Sequence, residues 1–331
     1  MEIVPGFHLL KIPIPDNSLG FINAYLVKTD EGSLLVDTGW NTEEAFNSLE
    51  KQILDAGSSW ADLRYIVITH VHPDHYGLAG RLAKLTSAEL IIHAIERSFL
   101  DRRYVKYDSL VVEMDEWLRM NGAPDSIRSS MSSAGLAVLG LVTVSIPNRI
   151  VRGGERLNLG GLDFEILWTP GHSAGHICLY EQNRRILISG DHILPRITSN
   201  ISMHTQSVGN PLADYLNSLD HLAHLPVDWV LPAHGEPFRD LPGRIGEIIS
   251  HYQGRLQEIL NVLAKGEHTA FQVTETIRWS TGKLAFSDLP PIHKRMAMTE
   301  TLAHLELLYA RGEVEKYYHE ELVWYSIAPN K

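Results

Sequence analysis

The amino-acid sequence predicts an α/β protein. An apolar strand over 64–69 is followed by a helix-compatible segment at 77–84 and by a further strand over 88–92. The second half repeats this pattern, with strand-like segments at 162–168, 177–181, 186–189 and 229–231. Before the last of these strands, a leucine stripe predicts an amphipathic helix over 212–222. Alternation of strands and helices is typical of layered α/β domains.

The N-terminal stretch predicts an antiparallel edge of the sheet. Apolar strands at 7–14, 21–27 and 33–36 are separated by polar turn segments, the first of them at 15–18. Asn41 resembles the N-cap of the first helix, because an apolar stripe at helical spacing follows it. We therefore expect a meander of short strands before the first helix.

Two regions depart from this alternation. Residues 95–148 contain apolar side chains at helical spacing and predict a helical lid inserted into a catalytic domain of residues 1–240. Residues 241–331 predict a small helical, winged-helix-like domain that ends in a pair of strands near 314–324. Basic and acidic residues nearly balance in that domain, which is poor for binding phosphates.

The composition is that of a folded globular chain. Of its 331 residues, 44% are hydrophobic and 21% are charged, and no apolar run is long enough to span a bilayer. The net charge of −11 disfavours nucleic acid and anionic membranes as partners. With one cysteine and no secretory signal, we expect a cytoplasmic protein that binds a small-molecule substrate. A homodimer is left open.

The motif His70-Val71-His72-Pro73-Asp74-His75 is the main functional feature of the sequence. On a strand that continues through residue 72, His70 and His72 point the same way and can hold one ion together. Pro73 then turns the chain and presents Asp74 and His75 towards a different point. This spacing suggests two metal ions.

Three later motifs supply further candidate ligands: Thr169-Pro170-Gly171-His172, Ser189-Gly190-Asp191-His192 and Pro232-Ala233-His234. With these motifs in this order, the sequence resembles the metallo-β-lactamase superfamily over about residues 7–240. The resemblance implies a four-layer αββα sandwich with the metal ions at one edge of the paired sheets.

The resemblance also implies a set of seven metal ligands. His70, His72 and His172 would hold the first ion, Asp74, His75 and His234 the second, and Asp191 would bridge both. Imidazole and carboxylate ligands suit zinc, so we expect two divalent ions per chain, with iron or manganese as alternatives to zinc. A redox di-iron member of the superfamily would be expected to carry glutamate at position 72, so the histidine there favours hydrolysis.

The expected reaction is hydrolysis at a carbonyl group. A hydroxide that bridges the two ions would attack the carbonyl carbon, and Asp74 beside it could steer or shuttle its proton. The single bridging Asp191 and the helical C-terminal region look like the glyoxalase II and thioesterase-like branch. An acyl thioester, an ester or a lactone is therefore the first expected substrate, although no basic patch for the carboxylates of glutathione is identified.

Three other functions remain open on the same residues. They are a β-lactamase, a phosphodiesterase or nuclease that uses the same metal core, and a ligand sensor without catalytic activity. Salt-dependent RNA binding would favour the nuclease. A metal-loaded protein without hydrolytic activity would favour the sensor.

Further candidate residues surround the ligand set. Asp37 ends a strand and is expected to hold a ligand histidine from behind. His176 is expected to be structural, because all ligand places are filled, and Cys178 is expected to be a buried, inert thiol. The candidates for substrate contact are His192, Arg196, Tyr107 and Trp117. Packing in a polar loop or in a helical core would explain these four residues about as well.

Overall fold

The computed structural model describes residues 1–15, 19–279 and 284–329, and it has the α/β arrangement that the sequence predicts. Residues 16–18 of the predicted first turn lie outside the described part. The first sheet has seven strands: β1 Glu2–Val4, β2 Phe7–Pro13, β3 Phe21–Thr29, β4 Gly32–Val36, β5 Leu63–Val67, β6 Glu89–His93 and β7 Arg149–Val151. They lie side by side in chain order.

The direction of pairing changes at β4. Strands β1 to β4 pair antiparallel, as the predicted meander requires, whereas β4 to β7 pair in parallel. Parallel neighbours bring their carboxyl ends to the same edge of a sheet. The segments that follow β4, β5 and β6 therefore start from one edge of the first sheet.

The second sheet consists of β8 Arg156–Leu159, β9 Leu162–Trp168, β10 Ile177–Glu181, β11 Ile186–Gly190 and β12 Trp229–Pro232. These strands lie in the order β12-β11-β10-β9-β8. β11 pairs with β12 in parallel, and the other neighbours pair antiparallel. The sequence predicted β9 to β12 closely, but it did not predict the short strands β1, β7 and β8.

An apolar core fills the space between the two sheets. Successive side chains of a strand point to opposite faces, so each strand contributes alternate residues. In β2, Leu9 lies in this core, whereas Leu10 and Ile12 lie on the outer face of the first sheet. Phe164 and Ile166 of β9 enter the same core from the second sheet. The sheets thus form the two inner layers of the predicted sandwich.

The helices in the described residues are α1 Glu43–Asp55, α2 Pro73–Tyr76, α3 Ala79–Leu85, α4 Ala94–Leu100, α5 Tyr107–Met120, α6 Asp125–Ser132, α7 Pro211–Ala223, α8 Leu241–Leu263, α9 Ala270–Thr276 and α10 Pro291–Ala310. Leu49 and Ile53 of α1 pack on the outer face of the first sheet. The N-cap of α1 is Thr42 instead of the predicted Asn41, because the Thr42 hydroxyl accepts from the Ala45 N–H at 3.1 Å.

Among the described helices, none combines the length and apolar character that a membrane crossing needs.

The chain forms two compact units. The first comprises Met1–Val105, Val138–Ser199 and His221–Arg244, and the second comprises Lys106–Ala137, Asn200–Asp220 and Ile245–Lys331. These bounds differ from the predicted domains 1–240 and 241–331, and the predicted lid 95–148 is divided between the units. Helices α7 and α8 each run from one unit into the other, so a cut at a single point of the sequence does not separate them.

The C-terminal region is mainly helical and includes a small sheet, as the sequence predicts. This third sheet consists of β13 His268–Thr269, β14 Val314–His319 and β15 Leu322–Ile327, in the order β13-β15-β14. A capping box starts α9, since Thr269 and Gln272 each accept from the other's backbone N–H. The region therefore has the helices and paired strands of a winged-helix-like unit.

Candidate metal centre

The motif at 70–75 lies beyond the end of β5. That strand ends before the motif begins, so His70 and His72 lie in a loop, and the predicted strand through residue 72 is wrong. His72 occupies the N-cap position of α2, and Pro73 follows in the first turn. Proline suits this position because its fixed φ is helical and its missing N–H has no helical partner there. Helix α2 then carries Asp74 and His75.

Three imidazole rings converge in what we call the three-histidine group: His70, His72 and His172. Nε2 of His70 lies 2.7 Å from Nδ1 of His72, and Nε2 of His172 lies 3.2 and 3.0 Å from these two atoms. An ion bound tetrahedrally at about 2.0–2.1 Å from each nitrogen would separate these atoms by about 3.3 Å. The three nitrogens are therefore spaced much as ligands of one ion would be.

A second set of ligand atoms, which we call the mixed group, consists of Asp74, His75 and His234. Oδ2 of Asp74 lies 3.3 Å from Nε2 of His234 and 3.7 Å from Nε2 of His75. His234 enters from the second sheet, shortly after β12 ends. The two sheets therefore contribute ligand atoms to the same group.

Asp191 lies between the two groups. Its Oδ2 is 3.4 Å from Nε2 of His172 and 3.5 Å from Nε2 of His75, and its Oδ1 is 3.5 Å from Nε2 of His234. One carboxylate thus reaches atoms of the three-histidine group and of the mixed group. A residue shared in this way can bridge two ions.

The residues present fit divalent cations. Nε2 of His75 and Oδ1 of Asp191 are buried and have no hydrogen-bond partner among the described residues. Buried polar atoms without partners are costly, and a cation in contact with both would remove that cost. The donor set of imidazole nitrogens and carboxylate oxygens is also the one that zinc and similar ions prefer.

Hydrogen bonds behind the rings direct lone pairs into the centre. Nδ1 of His75 lies 2.8 Å from Oδ2 of Asp37, and Nδ1 of His234 lies 3.2 Å from the carbonyl oxygen of Phe21. Both oxygens can only accept when Asp37 is ionised, so each Nδ1 carries a proton, and each Nε2 presents a lone pair when its ring is neutral. Nε2 of His75 and Nε2 of His234 are therefore the ring nitrogens that can bind a cation.

The two groups differ in electrostatics. Burial lowers the pKa of His70 and His72 well below the usual range, and neighbouring histidines lower it further. Burial also lowers the pKa of His75, but Asp191 and Asp37 raise it, and the net pKa lies well above the usual range. The pKa of His234 is raised as well, because Asp191 and Asp74 outweigh the effect of burial.

Comparison of the chain with models of known protein families identifies its superfamily. The model of the metallo-beta-lactamase superfamily matches residues 17–234, which is more than half of the chain. This chain belongs to the metallo-β-lactamase superfamily. The superfamily and the fold class that the sequence predicts are thereby confirmed.

Two related proteins match this chain over more than nine tenths of its length. The protein named "Probable metallo-hydrolase YqjP" from Bacillus subtilis is 27% identical, with 96% of each chain covered. The "Beta-lactamase-like protein 2 homolog" of Caenorhabditis elegans is 27% identical over 91% of this chain and 83% of its own.

Solved structures agree with the fold. A metallo-beta-lactamase family protein from Thermus thermophilus is 29% identical with a TM-score of 0.80, covering 98% of this chain and 100% of its own. A beta-lactamase domain protein from Burkholderia ambifaria is 29% identical with a TM-score of 0.84, covering 99% and 94%. The similarity therefore includes the C-terminal region beyond the matched family model.

Asp37 and Thr69 fix two of the ligand rings of this superfamily member. Asp37 follows β4 with a φ of 60° and accepts from the N–H and the hydroxyl of Thr69, each at 2.9 Å. Aspartate tolerates this left-handed backbone region better than most residues do. Because the Thr69 hydroxyl donates to Asp37, it accepts from Nδ1 of His70 at 3.1 Å. The Nε2 lone pair of His70 then faces the centre.

Glu96 joins the two loops of the three-histidine group. Its buried carboxylate accepts from the N–H of Val71 at 2.9 Å and from the N–H of Gly175 at 2.9 Å, and it also accepts from the hydroxyl of Ser173. Val71 lies between His70 and His72, and the other two donors follow His172 closely in sequence. The sequence analysis did not single out Glu96. Its position shortly after the carboxyl end of the parallel strand β6 is the signal that could have identified it.

His176 and Cys178 lie behind the centre. The N–H of Asp191 donates to Nε2 of His176 at 3.2 Å, so Nδ1 carries the proton and donates to the hydroxyl of Thr169 at 2.9 Å. His176 thus positions the shared carboxylate. Cys178 is buried, and burial raises the pKa of its thiol to about 12, which suits an inert side chain.

The four candidates for substrate contact lie in different environments. His192 is fully buried with its ring 5.6 Å from that of His176, and burial lowers its pKa to about 3. Arg196 is exposed. Tyr107 and Trp117 lie on α5 in the second unit. Their contact with substrate stays a prediction, and for His192 the burial favours packing behind the centre.

Proposed function

We propose that this chain is a metal-dependent hydrolase that cleaves an acyl thioester or a related ester or lactone. Asp191 carries the proposal, because its two oxygens lie 3.4–3.5 Å from ligand nitrogens of both groups. A carboxylate shared in this way suits a pair of ions that act on one water molecule. The Bacillus subtilis relative, which carries the name of a metallo-hydrolase and matches 96% of the chain, supports hydrolysis.

Two divalent ions would supply a water of lowered pKa and would polarise the carbonyl oxygen of the substrate. The protein's part is to hold the donor atoms and to align the attacking water. Burial raises the pKa of Asp74, but His75 and His234 lower it, and the net pKa is below the usual value. Asp74 is therefore ionised near neutral pH, and its side chain is 19% exposed, against 12% for Asp191. These properties support Asp74 as an ionised acceptor that aligns the attacking water.

The proposed reaction needs no nucleophile from the protein. Cys178, the single cysteine of the chain, is buried with a raised pKa, so a thiolate is not available from it. A reaction by activated water is compatible with thioesters, esters and lactones, which differ in the leaving group. A thioester is our first choice because the single shared Asp191 and the helical C-terminal region resemble the thioesterase-like branch.

The first test combines metal content with a substrate panel. The purified protein would be assayed for bound metal and for hydrolysis of acyl-CoA and glutathione thioesters, lactones, β-lactams and bis(nitrophenyl) phosphate. We expect two ions per chain and a preference for thioesters or lactones. Asp191→Asn should abolish this activity, whereas Asp55→Asn, which removes an exposed carboxylate on α1, should not.

Other outcomes would redirect the proposal. Less than one ion per chain, or cleavage of the phosphodiester alone, would contradict it. Turnover confined to β-lactams would replace the thioesterase by a β-lactamase. A protein that holds two ions but hydrolyses none of these compounds would favour the ligand sensor.

A further inference from the structure

Arg103 lies in a turn that is fixed against the ligand loop of the metal centre. The turn is the π-helical segment Asp101–Val105, which follows α4 directly. π-Helical turns are rare and occur frequently at functional sites. The hydroxyl of Tyr104 donates to the carbonyl oxygen of Val71 at 2.5 Å, between His70 and His72. The ring of Tyr104 also stacks on that of Tyr76, with centroids 6.4 Å apart.

Arg103 is half-buried, and the protein encloses part of its guanidinium. Its Nη1 is shielded from solvent and has no hydrogen-bond acceptor in the described part of the chain. Among residues 1–15, 19–279 and 284–329, no carboxylate lies within ion-pair distance of it. The ring of Phe99 has its centroid 5.6 Å from the guanidinium carbon. A buried N–H without an acceptor is costly, and an external anion would supply the missing acceptor.

Tyr104 contacts Val71 between His70 and His72, so the adjacent Arg103 lies beside the loop of the three-histidine group. The charge of Arg103 opposes the effect of burial on the pKa of Tyr104.

We propose that Arg103 binds an anionic group of the substrate, a carboxylate or a phosphate, beside the three-histidine group. This inference rests on the proposed function, and it narrows the substrate to an acyl thioester or ester with an anion near the scissile carbonyl. The planar guanidinium presents paired N–H donors that match both kinds of anion. The anion can belong to the acyl part or to the leaving group.

The test uses zinc-loaded protein and thioesters that differ only in charge. Butyryl-N-acetylcysteamine is the neutral reference, succinyl-N-acetylcysteamine carries the anion in the acyl part, and the butyryl thioester of 3-mercaptopropionate carries it in the leaving group. Butyryl-CoA is included as a thioester whose leaving group carries phosphates. Amide analogues of the first two compounds, which resist hydrolysis, would be titrated by calorimetry as a readout independent of turnover.

We expect wild type to favour at least one anionic thioester over the neutral one by about tenfold or more in kcat/KM. Arg103→Gln should reduce this preference to about threefold or less, because kcat/KM should fall more on the anionic thioester than on the neutral one, and Arg103→Lys should retain part of the preference. Arg102→Gln removes the same charge from the exposed neighbouring position and should behave as wild type. Zinc content and thermal unfolding would establish that each variant is folded.

Failure of this inference is distinguishable from failure of the proposed function. Equal turnover of neutral and anionic thioesters by wild type would overturn the role of Arg103 and leave the hydrolase in place. An equal loss on both kinds of substrate in Arg103→Gln would assign Arg103 to structure alone. If no thioester is hydrolysed but the anionic amide binds wild type more tightly than Arg103→Gln, the proposed function fails and the anion site stands. If neither turnover nor differential binding occurs, both fail.

Discussion

The three-histidine group and the mixed group present similar ligand atoms in opposite electrostatic surroundings. Burial and neighbouring histidines lower the pKa of His70 and His72, so these rings are neutral near neutral pH. In the mixed group, carboxylates raise the pKa of His75 and His234. The mixed group is therefore held together by its own charges, whereas the three-histidine group depends on a cation or on the surrounding scaffold.

The direct contacts behind the two groups differ. Asp37 contacts the ring of His75 directly, with 2.8 Å between Oδ2 and Nδ1, and reaches His70 only through the Thr69 hydroxyl. Glu96 supports the three-histidine group indirectly, because it accepts from the backbone of both ligand loops and from the Ser173 hydroxyl. Direct support fixes the orientation of one ring, and indirect support fixes the distance between two loops. Each kind of support can be removed separately by a single substitution.

The largest expected effect follows from the residue that both groups share. Asp191→Ala should lower kcat/KM by more than about 10³-fold, because each group loses a ligand atom. Bound metal should fall below two ions per chain, as measured by atomic emission on dialysed protein. His192→Ala, at the next position, is the control for local packing and should retain both ions. Two ions in Asp191→Ala would contradict the bridging role.

The next effect concerns the direct support of the mixed group. Asp37→Asn keeps a side chain that tolerates a φ of 60° but removes the negative charge behind His75. We expect about 10- to 100-fold weaker binding of one of the two ions, measured by competition with a chromophoric chelator. Asp37→Ala adds backbone strain and should also lower the temperature of unfolding. Unchanged affinity of both ions in Asp37→Asn would show that the contact does not tune the site.

A smaller effect is expected from the indirect support. Glu96→Gln leaves one carbonyl oxygen for three donors, so the loops of His70 and His172 should separate slightly. We expect about tenfold weaker binding of the ion that Asp37→Asn does not affect. Glu113→Gln, on α5 in the second unit, serves as the control for loss of one carboxylate. If Glu96→Gln and Asp37→Asn weaken the same ion, the two groups are not independent.

The sequence was sufficient for the local part of the site. Residues 70–75 place four ligand-type side chains within six positions, and such density has few structural explanations. The predicted geometry of these four side chains was wrong, because β5 ends before His70 and Pro73 starts a helix. In the sequence, a proline after an apolar strand is compatible with a strand that continues up to the proline and with a strand that ends earlier and is followed by a helix.

The parts that sequence reasoning missed depend on contacts between distant segments. Glu96 lies 25 residues from Val71 and 79 from Gly175, and on a helix it resembles an ordinary surface charge. Arg103 was overlooked for the same reason, since the shielding of its Nη1 depends on the fold around the π-helical turn. The fold was predictable where strands were long and apolar, as in β9 and β10. It was not predictable for β7 and β8, whose pairing depends on neighbouring strands.

The smallest expected effect is a pH dependence of opposite sign in the two groups of the metal-free protein. The folded-state pKa of His234 is raised, so His234 stabilises the fold below its unfolded pKa of 6.5, and this contribution is lost as pH rises through the folded pKa. The folded-state pKa of His72 is lowered, so His72 destabilises the fold as pH falls through 6.5. Urea unfolding of chelator-treated protein at pH 5.5 and 8.5, followed by tryptophan fluorescence, would measure both effects.

His234→Gln should therefore cost more stability at the lower pH, and His72→Gln should cost less there or even stabilise. Since one unit of pKa displacement corresponds to about 1.4 kcal/mol, we expect each difference between the two pH values to be about 1 kcal/mol or more. Exposed His319, on β14 in the second unit, provides a control substitution, His319→Gln, that leaves both ligand groups intact. The same sign for His234→Gln and His72→Gln would mean that the carboxylates act on both groups alike, and the contrast between the groups would then be lost.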